Sequence, residues 1–137
     1  MQTEDLIEFE LTRSVIGAFY EVYNTLGHGF LEVLYVRAME RELYRRGHVI
    51  QRELSVDVLY KGDLLGTHRI DMLVDGKLIV EIKAAGGAAK PALRQLQSYL
   101  RATTIDVGLV LLFGVEPAFH RLVCSANSTS KGGTATA

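Results

Sequence analysis

Leu11, Val15, Phe19, Val22 and Leu26 follow one another at spacings of four, four, three and four, which keeps side chains on one face of an α-helix. The spacing predicts a helix over residues 11–26, stopped by Gly27 and Gly29. A second helix is expected over about residues 31–46, with Leu31, Leu34, Tyr35, Ala38, Met39 and Leu43 inward and Gly47 at its end. Residues 27–30 then form a tight connection between the two.

The period changes after residue 50. Leu54, Val56, Val58 and Tyr60 alternate with Glu53, Ser55 and Asp57, the two-residue repeat of a half-buried strand, and Lys61-Gly62-Asp63 reads as a turn. Strands over about 64–73 and 77–83, joined near Asp75-Gly76, complete an antiparallel meander. The Gly/Ala-rich stretch 84–90 has no regular pattern, whereas Pro91 fits the first position of a helix running to about residue 102. Residues 107–113 form a continuous apolar run, short enough to be a strand buried on both faces, and residues 119–123 read as a weak last strand. Two helices, three strands, a helix and two strands predict an α/β fold, a mixed sheet flanked by helices.

Composition narrows the class. With 137 residues, 48% of them apolar, the chain is expected to form one domain over residues 1–124. Residues 125–137 lack apolar periodicity and are expected to be disordered. No run approaches the roughly 20 apolar residues of a membrane helix, and the first residues do not resemble a signal peptide, so a soluble cytoplasmic protein without a membrane partner is expected. Cys124 is the single cysteine, which excludes an internal disulfide and a thiolate zinc cluster. A net charge of −1 argues against coating nucleic acid by bulk electrostatics, so any phosphate binding must be local.

Candidate chemistry lies in Glu32 at the start of the second helix, Asp71 in the second strand, and Glu81 with Lys83 in the third. Carboxylates of this kind suit magnesium, a hard ion that prefers oxygen ligands and is often held by one or two carboxylates plus a substrate phosphate. Manganese is a possible substitute. Glu81 and Lys83 share one strand face, taken as the polar face, while Leu78, Val80 and Ile82 turn into the core. Asp71 joins the Glu81 face only if the hairpin loop has an odd number of residues. A three-residue loop Val74-Asp75-Gly76 meets that condition.

Gly29-Phe30-Leu31-Glu32-Val33-Leu34-Tyr35 resembles the G-x-x-E-x-x-Y signature of the GxxExxY proteins, a family of the PD-(D/E)xK nuclease superfamily. The resemblance continues through Arg69-Ile70-Asp71, Val80-Glu81-Ile82-Lys83 and Gln95-Leu96-Gln97-Ser98-Tyr99-Leu100, and covers about residues 8–123. It implies a restriction-endonuclease-like core and a magnesium-dependent nuclease. Glu32, Asp71 and Glu81 would hold metal, with the Ile82 carbonyl as an extra ligand. Lys83 would supply positive charge to the attacking water or to the phosphate, while Gln95 and Tyr99 would contact substrate. The implied partner is nucleic acid, DNA before RNA, with the oligomeric state open. Ile70 stands where the superfamily name has proline, but only the carboxylate does metal chemistry. The alternative is an interaction module for nucleic acid or protein that keeps the fold without turnover.

His28, His48, His68 and His120 show no metal-ligand spacing. Tyr35 reads as a packing residue with its hydroxyl near the site. Gly86-Gly87 lacks the ending of a phosphate loop. Arg94 and Arg101 read first as solvated helix charges that could meet phosphates.

Overall fold

The computed structural model describes residues 7–84 and 89–124; the expected tail and most of the Gly/Ala-rich stretch lie outside the described residues. Helices α1 (Phe9–Leu26) and α2 (Glu32–Arg45) precede strands β1 (Ile50–Tyr60), β2 (Asp63–Val74) and β3 (Leu78–Lys83). Helix α3 (Ala89–Ala102) leads to β4 (Val107–Phe113) and β5 (Pro117–Val123). The element order matches the sequence pattern. Several boundaries shift by one to three residues: α1 begins at Phe9, β1 at Ile50 and β5 at Pro117, and α3 begins two residues before Pro91, which still falls in the first turn where a missing N–H costs nothing.

The strands lie in the order β1-β2-β3-β4-β5. Only β3 and β4 are parallel, because α3 carries the chain across one face between them. Val15, Phe19, Tyr35, Met39 and Leu43 of α1 and α2 pack on Val80, Ile82, Leu109 and Leu111. On the opposite face Leu96, Tyr99 and Leu100 of α3 pack on Ile79 and Val110. Strand β4 is thus covered on both sides, which accounts for its unbroken apolar run. At Gly108 a Cβ would stand 2.5 Å from Leu96 Cδ1, so glycine there sets how closely α3 approaches the sheet.

The β1–β2 hairpin changes sides partway along. Met72 and Val74 join the α1/α2 core, yet Ile70, Leu54 and Val56, of the same parity, lie with the α3 core. The inversion falls at Glu53, whose φ is 56°. The register passes from Arg52↔Met72 to Leu54↔Ile70 and skips Glu53 and Asp71. Asp71 therefore sits at an interruption in the ladder to β1.

Candidate active site

Glu32 is placed by the loop before it. Gly27 and Gly29 take φ values of 72° and 104°, which glycine adopts without strain. The buried Tyr35 closes the loop: its hydroxyl donates to the Gly27 carbonyl at 2.6 Å and accepts the Phe30 N–H at 3.2 Å. Its ring stacks on Phe113 at 4.2 Å. Glu32 is consequently the first residue of α2, exposed, and its Oε1 accepts the Ala84 N–H at 3.1 Å just beyond β3. Tyr35 is a packing residue as expected; its hydroxyl serves the loop.

Asp71 and Glu81 are brought together by the hairpin. The β2–β3 ladder comprises Met72↔Val80, Leu73↔Ile79 and Val74↔Leu78, so the turn is Asp75-Gly76-Lys77 and not Val74-Asp75-Gly76. The loop is still three residues long, and continuing the register sets Asp71 opposite Glu81. There side chains replace the ladder. Ile82 N–H donates to Asp71 Oδ2 at 2.7 Å, and Asp71 N–H donates to Glu81 Oε1 at 3.2 Å. The N–H and C=O of one strand residue leave on the same edge, so the Ile82 carbonyl also faces β2.

The face carrying Glu81 is not the polar surface expected from the alternation. It is the face that α3 covers, and Glu81 is only 4% exposed. Burial pushes its carboxyl up to about 8, with the nearby Asp71 charge adding to the effect and Lys83 opposing it. Burial also raises Asp71, partly offset by the Ile82 N–H, and Glu32 raises it further. Lys83, half-buried at the end of β3, acts electrostatically on both. Tyr99 reaches the same region from α3: burial, then the charges of Glu81 and Asp71, raise its phenol to about 12. Gln95 is half-buried one turn earlier.

Glu32, Asp71 and Glu81 feel one another's charge, but they do not close into a three-carboxylate cage. Among the described residues no group of three His, Cys, Asp or Glu is arranged to hold a metal ion. The reason is visible in the hydrogen bonds, since each carboxylate is turned to a backbone N–H, that of Glu32 to Ala84. A two-carboxylate site fits better. Asp71 and Glu81 are hard oxygen donors, each held by one oxygen, and their mutual repulsion leaves the pair short of positive charge.

Two features had no signal in the sequence pattern. His48 Nδ1 lies 2.7 Å from Asp75 Oδ2 and Nε2 lies 2.7 Å from Ser14 Oγ, while Asp75 Oδ1 accepts the Val49 N–H at 2.8 Å. Burial alone would raise Asp75, but the Val49 and His48 hydrogen bonds outweigh it and lower its carboxyl. Ser14 lies inside α1, where neighbouring N–H groups are spent on the helix and no oxyanion donors are offered. This Ser–His–Asp chain is a structural tie that fixes the turn of the Asp71/Glu81 hairpin. The second feature is Arg52 of β1, which lines a cleft of about 240 Å³ together with Glu32, Asp71 and Arg69.

A model of the PD-(D/E)XK nuclease superfamily matches residues 9–122. Comparison with curated proteins gave no match. The crystal structure of SSO0001 superposes with a TM-score of 0.53 at 17% identity, covering 90% of this chain and 62% of that one. The likeness is one of fold, and this chain spans less than two-thirds of that protein's length.

Proposed function

This chain belongs to the PD-(D/E)XK nuclease superfamily, and from that premise we propose that it hydrolyses phosphodiester bonds in nucleic acid with the help of a divalent metal, magnesium by preference. The observation that carries the reading is Asp71 set opposite Glu81 at the end of the β2–β3 ladder, with Lys83 beside them. Within the superfamily, the run from Gly29 to Tyr35 favours the GxxExxY branch. DNA is proposed before RNA as substrate.

Asp71 and Glu81 would hold the metal, with Glu32 and the Ile82 carbonyl as further oxygen donors. When bound, the metal supplies Lewis-acid stabilisation of the phosphate and a more acidic water. Lys83 offsets the carboxylate charge and is placed to orient the attacking water or take its proton. Tyr99 holds its proton up to about 12, so it acts as a hydrogen-bond donor to substrate and not as a base, and Gln95 contacts substrate from the preceding turn.

The interaction module is the second reading, favoured by the absence of a three-carboxylate cage among the described residues. Incubating the protein with duplex DNA, single-stranded DNA and RNA, with magnesium or manganese and with EDTA, separates the two. Metal-dependent cleavage by the wild type, lost in Glu81→Gln, supports the nuclease. Binding without cleavage of any substrate supports the module.

A further inference from the structure

We propose that the cleft between β1 and the start of α2 is a phosphate-binding site for a nucleic-acid strand, with the Arg52 guanidinium as its principal contact. The inference rests on the nuclease reading for its ligand; the cleft shares Glu32 and Asp71 with that site, while Arg52, Arg69 and Glu40 lie outside the proposed metal donors. Arg52 pairs in register with Met72, the residue after Asp71. Its side chain lines the same small cleft as Asp71 and Glu32. A phosphate bound there lies beside the carboxylates.

The guanidinium is pre-oriented for this task. Nη1 donates to Glu40 Oε1 of α2 at 3.1 Å, and the side chain is 25% exposed, so the fork is held in one pose with little rotamer freedom left to lose. A guanidinium has five N–H donors in a fixed plane. The Nε–H is buried and has no hydrogen-bond partner among the described residues, so it is closed to a ligand and a phosphate would meet the Nη groups. Arg69, much more exposed and 3.6 Å from Glu53, adds a second, looser cation at the cleft's edge. A chain of net charge −1 cannot gather phosphate by long-range field, so a local bidentate donor is what its chemistry requires.

The bland rival makes Arg52 a tether between β1 and α2 and nothing more. Glu40→Gln removes the tether's charge but leaves the guanidinium, and so separates the two. Binding of a fluorescein-labelled single-stranded oligonucleotide would be followed by anisotropy in calcium over a range of salt, with folding checked by circular dichroism. Arg52→Met should weaken binding about tenfold and lower the slope of log K against log salt by about 0.7, the share of one phosphate. Arg52→Lys should fall between, and Glu40→Gln should stay within about twofold of the wild type. Inorganic phosphate should compete in the wild type and lose potency in Arg52→Met, which shows that the site takes the phosphate group itself; competition confined to oligonucleotides assigns it to the strand backbone, also in support. Arg52→Met binding like the wild type, or Glu40→Gln weakening as much as Arg52→Met, overturns the proposal. So does wild type that fails to bind. If the wild type binds through Arg52 yet never cleaves, the nuclease reading fails and the phosphate site stands; if it cleaves and Arg52→Met cleaves with unchanged KM and kcat, the reverse holds.

Discussion

Asp71 and Glu81 exchange roles across the end of the β2–β3 ladder: Glu81 Oε1 accepts the N–H of Asp71 itself at 3.2 Å, while Asp71 Oδ2 accepts the N–H of Ile82 at 2.7 Å. Two carboxylates thus replace the backbone bonds the strands no longer make. The cost is that burial and the neighbouring Asp71 charge disfavour an ionised Glu81, and this governs how the metal-free protein responds to pH.

Glu81 has a carboxyl of 4.5 when unfolded and about 8 when folded. Between those values the native state binds more protons than the unfolded chain, so stability is greatest on the acid side and falls as pH rises toward about 8. Asp71, shifted in the same direction, adds to the fall. Glu81→Gln cannot ionise and should be more stable than the metal-free wild type at pH 8.5, by on the order of 3 kcal/mol, with little gain at pH 4.5. Urea titrations of both proteins at the two pH values check this, and parallel curves would contradict it.

Tyr35→Phe keeps the ring stacked on Phe113 but loses the hydrogen bonds to Gly27 and Phe30. The expected cost is about 1–2 kcal/mol by urea titration. Cleavage should slow by about tenfold, because the loop no longer fixes where Glu32 begins α2. A loss of stability with normal cleavage would show that Glu32 is not positioned through this loop.

The alternating and helical periods made the element order legible, since Val15, Phe19 and Leu43, or Val80 and Ile82, repeat at the spacing that burial on one face requires. Parity also made the Asp71/Glu81 face legible, because the two possible three-residue turns preserve it. The placing of that face against α3 was not legible, as Glu81 and Lys83 carry the polarity of an exposed edge and only the crossover helix covers them. Nor could the inversion at Glu53 be read, for a left-handed glutamate has no sequence mark. Arg52 lay outside the alternation read from Glu53 to Tyr60, and His48 meets Asp75 across 27 residues, a separation no local pattern encodes.

The Ser14–His48–Asp75 tie should anchor the hairpin turn unequally. Asp75→Ala removes the bonds to both His48 and the Val49 N–H and should cost about 2–3 kcal/mol, whereas Ser14→Ala removes one bond and should cost about 1 kcal/mol. Denaturant midpoints of the two variants test this. Equal costs would mean that the turn is held by something else.

Gly108→Ala should force Leu96 aside and lift α3 from β4, at about 1–3 kcal/mol. Combining it with Leu96→Ala should cost less than the sum of the two single changes, because the shorter side chain vacates the space. Strict additivity in thermal unfolding would show that the close approach does not govern α3 packing.

If Asp71 and Glu81 form the divalent-metal site, metal binding must release protons. At pH 7 the metal-free Glu81, with a carboxyl at about 8, is mostly protonated, and it must ionise to become a ligand. Calorimetric titration with manganese at pH 7, in two buffers of different ionisation enthalpy, should show about one proton released per ion bound to the wild type and almost none in Glu81→Gln, whose affinity should also fall. Lys83→Met should still bind the ion. Binding with no buffer-dependent heat, or identical binding and proton release in the wild type and Glu81→Gln, would contradict the account.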